Sequence, residues 1–96
     1  MVSRLFTFVS EFRGTTYVSQ VSASDEHDAV RVWADTLRRE RPFGRASSYL
    51  AKAAGSEGFS PVVIGDLANV WCVSAVCGGH LMLADIVETV RPMNRS

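Results

Sequence analysis

From Arg4 to Phe12 the chain reads RLFTFVSEF, and Phe6, Phe8 and Phe12 recur at a spacing of two or its multiple. That period puts them on one side of an extended strand. Arg13-Gly14 interrupts the pattern, and TTYVSQVSA resumes it with β-branched residues at Thr15, Thr16, Val18 and Val21. The simplest connection is a hairpin around Gly14, with Tyr17, Val21 and Ala23 sharing one face of the second strand. The period then changes. Ser24 precedes Asp25, Glu26 and Asp28, a hydroxyl cap followed by acids near exposed helix amides. The helix it starts runs to about Glu40, with Ala29, Val32, Trp33, Thr36 and Leu37 on its apolar side and Arg31, Asp35 and Arg38 toward water. Pro42 marks its end.

Residues 43–67 are less regular. Ser47 or Ser48 can cap a short helix through YLAKAA that ends at Gly55, GSEGFSP reads as a loop, and Val62 to Ile64 as a short extended piece. The last part regains a period of two. NVWCVSAV and LMLADIVETV flank Cys77-Gly78-Gly79-His80, and two central glycines supply the positive backbone angles of a type I′ hairpin turn. This sets a register: Cys77 opposite His80, Ala75 opposite Met82, Val73 opposite Ala84 and Trp71 opposite Ile86. Both parities of this pair are apolar, as expected of strands covered on both sides or covered by another subunit. The RPMNRS stretch, 91–96, is expected to leave the sheet as a flexible tail.

The expected architecture is an α+β fold: two layers, an antiparallel four-stranded sheet in the order β-β-α-(short α or loop)-β-β, and one principal covering helix. With 96 residues, one small domain over 1–96 accommodates it. Ten basic residues balance ten acidic ones, so no global field draws the chain to nucleic acid or an anionic membrane. Two cysteines do not make a disulfide framework, no secretory leader is visible, and no apolar stretch is long enough to span a bilayer; a cytoplasmic location is expected.

Candidate chemistry is sparse. His27 lies among Asp25, Glu26 and Asp28, where a solvated helix start accounts for it without a nucleophile. Cys77 and His80 become neighbours across the glycine turn, which could give an activated thiol or two ligands of a metal site, the latter needing a further ligand such as Asp85 or a second chain. Cys72 has the opposite parity and spoils a three-ligand cluster. The packed hairpin remains the plainer reading, so no catalytic residue, metal or cofactor is expected. The cationic residues are nine arginines and Lys52, and Arg39, Arg41 and Arg45 cluster with Arg38 as a local contact for an anion, nucleic acid or an acidic protein surface. Phe43 or Tyr49 could add stacking. No phosphate-binding glycine motif, HExxH sequence or serine elbow occurs.

The stretch FTFVSEFRGTTYVSQVSASDEHDAVRVWADTL, with its strand, glycine turn, YVSQV strand and acidic helix start before Ala29, resembles the hairpin-then-helix unit of HicB-like antitoxin domains over about a third of the chain. The resemblance implies a bacterial protein-binding regulator, and fold-level likeness transfers no activity. The expected function is therefore a small interaction or regulatory module, homodimeric and non-catalytic, with Trp71, Leu83 and Val87 as candidate interface anchors where they are exposed; Trp71 is open between core and interface. Nucleic-acid or antitoxin-like binding through Arg39, Arg41 and Arg45 is the alternative, followed by thiol or metal chemistry at Cys77 and His80.

Overall fold

A computed structural model describes residues 3–54 and 60–90. Strand β1 (Arg4–Phe12) turns through Arg13 and Gly14, both at positive φ, into β2 (Thr15–Ala23). Helix α1 (Glu26–Glu40) and helix α2 (Ala46–Ala54) follow, then β3 (Val62–Val63), β4 (Val70–Cys77) and β5 (His80–Thr89). The sheet is antiparallel in the order β2-β1-β5-β4-β3. Five strands replace the expected four, because Val62 and Val63 pair with Cys72 and Trp71. Two helices cover the sheet, the principal one and the second that was expected as a short helix or a loop. The α2 segment forms a full nine-residue helix that buries Ser47, Leu50, Ala51 and Ala54.

The cap of α1 also differs by one residue. Asp25 is the N-cap, its carboxylate accepting from the Asp28 amide at 2.8 Å, while Ser24 donates from its amide and hydroxyl to the Asp28 carboxylate. The Ser24 amide, followed by the guanidinium of Arg31, holds the Asp28 carboxyl below the ordinary carboxylate range. The helix closes at Arg41, left-handed at φ 50, whose amide donates to the Leu37 carbonyl. Ala29, Trp33, Thr36 and Leu37 are buried as the period requires, joined by Val30 and Ala34; Val32 is only half-buried, at the flank of the stripe.

The core lies between this helix layer and one face of the sheet. Phe6, Phe8, Met82, Ala84 and Ile86 are fully buried there. Phe8 stacks on Trp33 with ring centroids 4.8 Å apart and planes 10° from parallel. The Trp33 indole N–H has no acceptor among the described residues, so apolar area and stacking hold the ring. Ser10, on the same face, is buried but satisfied, donating to the Tyr17 carbonyl at 3.0 Å. At one end of the sheet Arg4 reaches Glu88 through paired bonds of 2.8 and 2.9 Å, which hold the Glu88 carboxyl below its ordinary range.

Candidate functional site: the uncovered sheet face

The tight turns decide which side chains reach each face. With Phe12 opposite Thr15 and Cys77 opposite His80, residues alternate strictly between the helix side and the other side of the sheet. Trp71 falls on the helix side, 8% exposed, its ring 6.0 Å from that of Phe6. It is core, one of the two readings that the sequence left open, and its place among the candidate interface anchors is corrected. Leu83 and Val87 have the opposite parity and are 42% and 38% exposed.

They are not alone. Val9, Val18, Val62, Val76 and Leu81 are also exposed on that side, so all the long strands and β3 contribute apolar side chains to one continuous face. No described helix covers it. One row crosses the whole sheet: Val18 opposite Val9, Val9 opposite Asp85, Asp85 opposite Cys72, Cys72 opposite Val62. A carboxylate thus stands at the centre of an apolar surface. Glu11 is the other charge that the strands place on it, and they place no lysine or arginine there. Scattered surface valines need no explanation, but a patch gathered on one face of a sheet does.

The other candidates are separated or engaged elsewhere. Cys77 and His80 pair across the turn as expected, and the imidazole packs edge-on to Phe12, ring centroids 6.3 Å apart. No group of three His, Cys, Asp or Glu side chains able to hold a metal occurs among the described residues. Burial, with the charge of Asp85 adding to it, pushes the Cys72 thiol up, away from the thiolate that a nucleophile requires. His27 is exposed, with Glu26 at 3.8 Å as its carboxylate neighbour.

Of the arginines, Arg38 is paired with Asp35 at 3.0 Å and Arg39 donates to the Thr36 hydroxyl at 3.4 Å. Arg41 serves as the α1 cap. Arg45 lines an open recess of about 420 Å³ with Phe12, Phe43 and Arg13. Arg13 is a residue that the sequence did not single out. The hairpin tip brings it beside the α1–α2 junction from thirty-two positions away, and no local pattern marks that approach. Compared with protein-family models, curated proteins and solved structures, the chain matches none. No helix among the described residues is long and apolar enough to cross a membrane.

Proposed function

We propose that the protein is a small, non-catalytic interaction module whose uncovered sheet face docks another protein. The observation that carries this reading is the concentration of seven exposed large apolar side chains on the side of the sheet opposite the two helices. Strands of nine residues are about 30 Å long, and four of them at about 4.8 Å spacing give a footprint on the order of 600 Å². That approaches the roughly 800 Å² per partner of a standard interface. Leu83 and Val87 are its central anchors, and Asp85 between them favours a partner surface that is apolar with a basic side chain at its middle.

The test is affinity purification from the source cells with the wild type and with Leu83→Lys/Val87→Lys. The double variant loses the co-purifying protein while its urea unfolding midpoint stays put. Identical co-purifying proteins with both baits would remove the proposal.

A second reading has one observation in its favour, the convergence of Arg13 and Arg45 with two aromatic rings on one recess. It predicts oligonucleotide binding that Arg13→Ala/Arg45→Ala weakens and that falls steeply with salt. Absence of binding at low salt would exclude it.

A further inference from the structure

We infer that the protein also forms a two-fold dimer through the open edge of β2, a backbone contact at the margin of the uncovered face, where Val18 stands, and distinct from its Leu83 and Val87 centre. Among the described residues β2 pairs with β1 alone, and it is the terminal strand of the sheet. The two-residue turn makes Phe12 and Thr15 a hydrogen-bonded pair, since type I′ hairpins close on one. By alternation Tyr17, Ser19 and Val21 bond to β1, and the amides and carbonyls of Thr16, Val18 and Gln20 point away from the sheet. The opposite edge, β3, is only two residues long. Edge strands are ordinarily blunted by charge, proline, a bulge or shortness. Strand β2 has nine residues, no charged side chain, no proline and an unbroken register with β1.

The chemistry fits a second copy. An antiparallel pairing about a two-fold axis at Val18 sets Val18 opposite the partner's Val18 and Thr16 opposite the partner's Gln20, each pair exchanging both backbone bonds. An uncharged strand meets no like-charge repulsion when it pairs with itself. The helix layer adds complementarity. Tyr17, near the start of β2, donates its hydroxyl to Glu40 at the end of α1, so α1 runs back along β2. In the dimer the two α1 helices are antiparallel. The acidic first turn, Glu26 and Asp28, then lies toward the end where the partner's Arg38 and Arg39 sit, and the helix dipoles oppose.

The experiment starts from Cys72→Ser/Cys77→Ser protein carrying either Val18→Cys or Thr16→Cys. Hydrogen-bonded positions across an antiparallel pair have Cα atoms about 5.5 Å apart, within disulfide range. Val18→Cys, on the axis, oxidises to a covalent dimer at least ten-fold faster than Thr16→Cys, which faces Gln20. Light scattering of the wild type gives about 21 kDa, twice the 10.5 kDa chain. Gln20→Pro and Thr16→Pro each remove an outward amide without touching the β1 ladder and shift the mass to the monomer with an unchanged circular dichroism spectrum. Leu83→Lys/Val87→Lys leaves the dimer intact. The inference is overturned by a monomer up to about 1 mM, well above ordinary micromolar dimer affinities, or by equal oxidation rates at the two positions. A dimer dissolved by the Leu83/Val87 variant but not by folded proline variants overturns it as well, and assigns self-association to the uncovered face.

Discussion

On β5, Met82, Ala84 and Ile86 are fully buried, while Leu83, between the first two in sequence, and Val87, next to the third, stand in solvent. On β1, Phe8 is inaccessible and Val9 is at the surface. The two faces are made from the same strands, with side chains of similar hydrophobicity, and differ in what lies over them. The inner face has α1 and α2, and its contacts contribute to folding. The outer face has no described helix above it, so the free energy of burying it is still available for association. An apolar side chain is therefore not core by virtue of its chemistry; the layer that covers it decides.

Truncation should separate the faces most sharply. Trp33→Ala or Phe8→Ala, which break the stacked pair beneath α1, should each cost about 3–5 kcal/mol in urea unfolding, whereas Val9→Ala or Val76→Ala should stay within about 0.5 kcal/mol. Comparable losses on both sides would mean that the outer face is also part of the fold. Trp71→Ala comes next, with a loss of about 3 kcal/mol and no change in oligomeric mass, because its ring packs against Phe6. A change of mass at full stability would return it to an interface.

The turn that fixes which residues reach which face gives a smaller effect. Gly79 has φ +79 with open space around it, so Gly79→Ala introduces backbone strain without a clash and should cost about 1–2 kcal/mol. No loss would show that the turn does not constrain the register.

The smallest effect is on the pH dependence. The Glu88 carboxyl is depressed in the fold, chiefly by its bond to Arg4, so its contribution is present above the ordinary glutamate pKa and disappears as pH falls through the depressed value. Glu88→Gln should make the acid limb of the unfolding curve shallower and leave the neutral-pH face variants unaffected. An acid limb of unchanged slope would assign the loss to other carboxylates, Asp28 foremost.

Both hairpins were legible in the sequence from their turns: Gly78-Gly79 set every expected pair, including Trp71 opposite Ile86, while Arg13-Gly14 marked the first hairpin and left its register open. Helix α1 was legible from its stripe and its ends. Strand β3 was legible only as an extended piece at Val62 to Ile64, since two valines carry no periodicity and the pairing with β4 depends on a distant partner. The place of β1 between β2 and β5 was not legible, since no local signal encodes it. Trp71 was open between core and interface, and only its grouping with Leu83 and Val87 as candidate anchors fails. Parity alone, odd against even on β5, placed them on opposite faces, and the doubly apolar LMLADIV pattern already held both the core and the uncovered surface. Arg45 was noticed without its recess because Arg13 arrives through the tertiary fold. The expected tail at 91–96 and the loop and helix end at 55–59 lie outside the described residues.

The most direct test of the uncovered face as a docking surface is photo-crosslinking in the source cells. A photoreactive amino acid is placed either at Leu83, at the middle of the face, or at Lys52, on the helix layer. The account predicts one discrete protein adduct from Leu83 that Asp85→Lys abolishes, and none of that size from Lys52. The same adduct from both positions, or none from Leu83, would contradict it.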